Sequence, residues 1–194
     1  MPIQRIIDIK SGGTLDENIA LTIALNCAPL IKNKAFACII SVDLKMLAGL
    51  YKMIIKAGIK YLCFGMIGDK VILYLYRQKP LKEHLATAEI REFLAGYGYG
   101  DPEADLRVLS EKMRGYISGS LSYPHEIGVF FGYPLEDVKD FIGKRGEGCL
   151  YCGYWKVYHN LPDALKVFED YDKCRDMVAE ELLVAGKTLC DIAV

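Results

Sequence analysis

The stretch Ile59-Lys60-Tyr61-Leu62-Cys63-Phe64-Gly65-Met66-Ile67-Gly68-Asp69-Lys70-Val71-Ile72-Leu73-Tyr74-Leu75-Tyr76-Arg77 decides the fold. Two apolar runs, Ile59 to Met66 and Lys70 to Arg77, flank Gly68-Asp69. β-Branched and aromatic residues on either side of such a dipeptide predict an antiparallel hairpin, with a loop of two residues or somewhat longer. In the second run Val71, Leu73 and Leu75 share one face, while Ile72, Tyr74 and Tyr76 share the other, because side chains alternate across a strand. Both faces are apolar, so this strand is expected inside the sheet and not at its edge.

Upstream, a helix is predicted from about Asp16 to Cys27, stopped by Pro29, which lacks an amide hydrogen. Lys34 to Val42 is short, apolar and β-branched at its end, and reads as a buried strand. Asp43 is placed to cap a helix in which Leu44, Leu47, Ala48, Tyr51 and Ile54 or Ile55 recur at helical spacing, and Gly58 suits its C-terminal end. Downstream, Leu81 to Leu94 predicts one helix that runs into Gly96-Tyr97-Gly98-Tyr99-Gly100. That run lacks both a preceding strand and the Lys-Ser/Thr of a phosphate loop, so it reads as a helix–helix connection.

Asp101-Pro102-Glu103 has the form of a helix start, and Leu106, Leu109, Met113 and Ile117 continue its apolar face. Pro134 opens another short helix with Leu135, Val138 and Phe141 inward. Cys149 to Tyr158 predicts a strand. Pro162 to about Ala185 predicts a long helix, with Ala164, Phe168, Tyr171, Cys174, Val178 and Leu182 along one side. Thr188 to Val194 suits a last strand or a packed extension. The sum is an α+β (mixed α/β) chain: a small mixed sheet of roughly three to five strands with a central antiparallel hairpin, covered by about six helices. Residues 1–14 read as a loose N-terminal segment and 15–194 as a single globular domain, since no repeat or low-complexity tract divides them.

The chain of 194 residues is 52% hydrophobic and 25% charged, enough to bury a core without disulfides. Lys and Arg number 24 against 25 Asp and Glu, a net charge of −1, so nucleic acid is not an expected partner. Asp8 and Lys10 interrupt any secretory leader, and no apolar run approaches the roughly 20 residues that cross a bilayer, so no membrane association is expected. The seven cysteines, Cys27, Cys38, Cys63, Cys149, Cys152, Cys174 and Cys190, are odd in number and widely spread. That pattern fits reduced thiols in a cytoplasm. Cys149 and Cys152 form a C-x-x-C, but residues three apart on a strand point to opposite faces and no second such motif exists, so no metal is expected there. Cys27 lies near a helix C-terminus, whose dipole raises a thiol pKa, and reads as a core cysteine unless His125 reaches it.

Candidate chemistry is densest in Tyr123-Pro124-His125-Glu126-Ile127-Gly128 and onward to Val138, and again in Tyr151-Cys152-Gly153-Tyr154-Trp155-Lys156-Val157-Tyr158. A His beside a carboxylate can act as a general base or hold metal. The H-E-x-x-H zinc pattern fails because position 129 is Val, and neither His84 nor His159 has ligand spacing to His125. The alternative is that His125 and Glu126 merely begin a short helix after Pro124. On a strand, Tyr154, Lys156 and Tyr158 alternate with Trp155 and Val157, so two phenols and an ammonium share one face. Such a face suits a small anionic or planar ligand, or a protein partner. The alternative is that the tyrosines only cover the core.

Three functions are open at this point. The first is a ligand- or partner-binding protein whose surface is built from Tyr123, His125, Glu126, Tyr133, Tyr154, Lys156 and Tyr158. The second is a small enzyme using His125 and Glu126 as an acid–base pair, with or without a cysteine nucleophile. The third is a thiol-based metal or redox protein.

The tracts PHEIG (124–128), GYPLEDV (132–138) and GYWKVY (153–158), in that order, resemble a bacterial family catalogued as domain of unknown function 3793. CAPL at Cys27 to Leu30 and the LYLYR strand ending at Arg77 support the resemblance, which runs from roughly residue 16 to the end. It implies no established activity, cofactor or catalytic residue.

Overall fold

The computed structural model describes residues 8, 9, 11–102 and 104–193. Glu103 of the expected helix start and Val194 of the expected tail lie outside the described residues. So do 1–7 and 10 of the N-terminal segment. Within that segment Asp8, Ile9, Ser11 and Gly12 are helical, and Ile9 is buried. The chain divides into two compact units, one formed by Met1–Arg77 and Asp170–Val194, the other by Gln78–Glu169. Among the described residues no helix is long and apolar enough to cross a membrane.

In the first unit the chain order is α1 (Leu15–Asn26), α2 (Ala28–Ile31), β1 (Ala37–Asp43), α3 (Leu47–Lys56), β2 (Lys60–Ile67) and β3 (Lys70–Tyr76). The strand order is β1-β3-β2, so the strand that is apolar on both faces is the central one. It pairs antiparallel on both sides, Ala37↔Tyr76 to Asp43↔Lys70 with β1 and Lys60↔Tyr76 to Ile67↔Lys70 with β2. The hairpin loop is the two residues Gly68-Asp69, and Gly68 takes φ 63°, the left-handed region that glycine enters without strain. The register shifts between Cys63 and Gly65, which leaves Phe64 as the extra residue of a bulge.

One face of the sheet, with Ile40, Val42, Val71, Leu73 and Leu75, packs on Ile19 and Ile23 of α1, Leu50 and Ile54 of α3, and Val178 near the C-terminus. Fully burying each such side chain contributes about 1.5–3 kcal/mol. α1 starts in a capping box: Thr14 Oγ1 accepts from Glu17 N at 3.2 Å, and Glu17 Oε2 accepts from Thr14 N at 2.8 Å. α1 ends within a residue of the expected Cys27, and Pro29 opens a second short helix instead of a loop. It sits in the first turn of α2, where its missing N–H has no partner to lose. Arg77 donates from Nε to Leu30 O at 3.1 Å and from Nη2 to Ile31 O at 3.3 Å, closing the carbonyl end of α2. Asp43 caps no helix. A 3₁₀ turn, Leu44–Met46, intervenes without a side-chain cap, and Asp43 faces Lys70 at 3.5 Å instead.

The second unit holds α4 (Gln78–Leu85), α5 (Ala88–Ala95), α6 (Asp105–Ile117), α7 (Ile127–Phe130), α8 (Leu135–Gly143) and a ribbon of β4 (Tyr151–Cys152) and β5 (Lys156–Val157). α9 (Leu161–Leu183) begins in this unit and ends in the first, where α10 (Leu189–Ile192) follows. The tail is thus a short helix, not a strand. The helix expected over Leu81 to Leu94 is two helices. Thr87 is extended, and its hydroxyl donates to His84 O, which ends α4. α6 starts at Asp105 and not at Asp101, because Asp101 O accepts from Ala104 N at 2.8 Å in a separate turn. The strand expected over Cys149 to Tyr158 folds back on itself, pairing Tyr151↔Val157 and Cys152↔Lys156.

His84, half-buried on α4, donates from Nε2 to Val129 O at 3.0 Å. Burial holds its imidazole below the ordinary value of 6.5. As pH falls through that value the unfolded chain takes up the proton first. The stability His84 contributes is therefore full above 6.5 and is lost as pH falls on through the folded pKa. Thermal melting of the full chain is expected to drop as pH falls below about 6.5 and on through the lower folded pKa. His84→Gln keeps a donor and should flatten that drop; an unchanged slope would remove His84 as its cause.

Candidate functional site

The two tracts of the second unit are fastened together by Asp137 in the first turn of α8. Its carboxylate is 2% exposed. Oδ1 accepts from the backbone N–H groups of Tyr158 and His159, both at 2.9 Å, and Oδ2 accepts from Trp155 Nε1 at 2.8 Å. Three donors on one buried carboxylate fix the ribbon against α8. Glycines let the elements close: a Cβ on Gly128 would meet Val138 Cγ2 at 2.9 Å, and one on Gly153 would run into the Phe168 ring.

On that frame His125 is exposed, and its ring packs at a tilt against both Tyr123 and Phe141, with centroids 5.2 Å apart in each pair. Lys156 Nζ lies 5.9 Å from the Phe141 centroid and donates to Gly146 O at 2.7 Å. An ammonium has three N–H groups, so two remain for another acceptor. Tyr123 is half-buried, packs edge-on against Tyr116 at 5.0 Å, and has its phenol pKa raised by burial. Tyr123, His125 and Lys156 therefore come together, and Phe141, read from sequence only as an inward helix residue, is the piece that joins them.

The other sequence-predicted residues go elsewhere. Glu126 is 3% exposed. Its Oε1 accepts from Lys112 Nζ at 2.6 Å and from Tyr99 Oη at 3.2 Å. Lys112 also donates to Tyr97 O at 2.7 Å and lies 4.4 Å from the Tyr99 ring centroid. Tyr99 is buried, and that burial raises its phenol pKa far above the ordinary value. Beside it Arg91 pairs with Asp105, whose carboxylate is wholly buried. Neighbours in sequence, His125 and Glu126 thus have different partners, and the Glu126 carboxylate is already held. Tyr133 stacks on Trp155 at 5.2 Å, and Tyr154 packs on Phe168 at 5.5 Å, within a small core that includes Val157 and Ala164. Tyr158 turns inward at 7% exposure with its hydroxyl unpartnered, and Lys144 Nζ lies 5.1 Å from its ring. The single face expected for Tyr154, Lys156 and Tyr158 does not form, because Tyr154 sits in the turn of the ribbon.

His159 exposes its ring and shares Nε2 with Asp140 at 2.9 Å. Asp140 also accepts from Lys144 at 2.8 Å, which, ahead of His159, lowers its pKa. All seven cysteines are free thiols, and Cys149 is half-buried where Cys152 is exposed. No group of three or more His, Cys, Asp or Glu among the described residues could hold a metal ion. A concavity of about 450 Å³ in this unit is lined by Glu89, Glu92, Phe93, Glu136 and Lys139, of which only Glu136 falls in the tract singled out from sequence.

The sequence reading included Asp137 in its tract without a role, and it missed the roles of Phe141, Lys112 and Tyr99. A signal existed for one of them: an acid on the apolar side of a short helix, in a chain with a single Trp, invites pairing with the indole. A family model described as "Protein of unknown function (DUF3793)" matches residues 23–193. No curated protein matches the chain, and no solved structure does.

Proposed function

For this chain, which belongs to the DUF3793 family, we propose a binding function: the second unit takes a small ligand with a planar group and an anionic group. The observation that supports this is the exposed His125 ring packed against both Tyr123 and Phe141, with Lys156 Nζ near the same Phe141 ring. Aromatic rings supply stacking area, and the ammonium with its two remaining N–H groups selects an anion. Tyr133, Tyr154 and Tyr158 hold the supporting wall, and Glu126 braces the turn from beneath. The same reading leaves out nucleic acid, given the net charge of −1. It also places the chain in the cytoplasm, a compartment that suits seven widely spread thiols.

Phenyl phosphate and benzoate are the simplest probes, with benzylamine as the cationic control. At about 100-fold over its Kd a ligand adds about 2.7 kcal/mol of stability. The anions should raise the melting temperature, and benzylamine should not. His125→Ala and Lys156→Met should each remove at least half of that rise while near-ultraviolet circular dichroism stays native. Equal rises in the variants would place binding elsewhere.

A further inference from the structure

We infer that the first unit carries a separate site for a small anionic amphiphile, in the groove that α1, α3 and the turn from α9 to α10 enclose. Its volume is about 690 Å³. That is the size of a small-molecule pocket, whereas a stable protein interface needs a broad face. The floor is apolar: Ile23, Met53, Leu182 and Leu183.

Charge on the rim specifies the head group. Lys52 and Lys56 both line the groove, one turn apart on α3 and so on one side of that helix. Neither forms an ion pair among the described residues. The third lysine, Lys187, is shared with Glu181 at 3.3 Å. The two acids present are Asp16 and Glu17, and Glu17 keeps its charge, because in the capping box of α1 it accepts from neutral donors. Three lysines against two carboxylates give the lining one positive charge in excess above an apolar floor, and the Glu181 that Lys187 meets is itself shared with Lys32 at 2.6 Å. A ligand with an apolar body and a single anionic head satisfies both parts. A cation would meet like charge, and a short anion would leave the floor empty. The occupant is a dissolved monomer such as a medium-chain carboxylate, not a bilayer, because the apolar surface lies inside a concavity and not on a protruding face.

Cys190, an exposed thiol on the groove wall, reports occupancy. The full chain is alkylated with iodoacetamide, and the rate at each cysteine is followed by mass spectrometry. Decanoate below its micellar concentration should slow Cys190 at least fivefold and leave the exposed Cys152, in the other unit, unchanged. Butyrate and decyltrimethylammonium should protect neither. Lys52→Met with Lys56→Met should abolish the protection, and Lys45→Met, outside the groove, should preserve it. Equal protection by the cationic amphiphile, or protection that survives the double substitution, would overturn the site. Co-sedimentation of the chain with phosphatidylglycerol vesicles that decanoate fails to reverse would overturn the monomeric ligand.

Discussion

Replacing Asp137 by Ala is expected to remove about 3–5 kcal/mol of stability from the second unit. The change leaves three donors without an acceptor: the N–H groups of Tyr158 and His159 and the indole of Trp155. A buried unsatisfied donor costs about 1–3 kcal/mol, and the three share one site, so the costs sum to less than three times one. Asp137→Asn keeps one carbonyl oxygen but turns an NH₂ toward the remaining donor, so its loss should be intermediate. Trp155 is the only tryptophan, so its fluorescence during urea unfolding reports this unit directly. A loss under about 0.5 kcal/mol, the size of an ordinary surface substitution, would show that the ribbon does not depend on the carboxylate.

Lys112→Met is expected to cost about 3 kcal/mol, because it strands the Glu126 carboxylate, which is 4% exposed. The low end of the range for buried pairs applies, since Lys112 itself is 26% exposed. Adding Glu126→Gln should restore more than half of the loss. The amide still accepts from Tyr99 and no charge is left behind. A double-mutant cycle by urea unfolding measures this coupling. A single-variant loss below about 1 kcal/mol would mean the pair behaves as a solvent-exposed one.

The hairpin at the centre of the first unit was legible because alternation and turn chemistry agree there: Val71 to Tyr76 is apolar on both faces, and Gly68-Asp69 closes a two-residue loop. Elsewhere the apolar pattern ran on through breaks. Leu81, Leu85, Ile90 and Leu94 are all buried and keep near-helical spacing across Ala86-Thr87, so two helices read as one. In Gly153-Tyr154-Trp155 the aromatic alternation continues through a reversal that only the glycine marks. The division into two units is hidden inside α9, where the apolar stripe passes from Phe168 to Cys174 and Val178 without interruption while the helix changes unit. For the site, the tracts were visible and their partners were not. His125 and Glu126 are adjacent in the chain, but they sit in a tight turn before α7 that sends one to Phe141 and the other to Lys112. Distances of this kind depend on which helices meet, which spacing along one chain does not encode.

The binding surface is tested most directly by nuclear magnetic resonance on the isotopically labelled full chain, titrated with phenyl phosphate and, in parallel, benzylamine. Ring-current shifts should appear first and largest at the His125 and Phe141 rings. They should saturate with the anion only, and vanish in Lys156→Met. Shifts that begin elsewhere in the second unit, or that are the same for the cation, would contradict a planar-anion site at His125, Phe141 and Lys156.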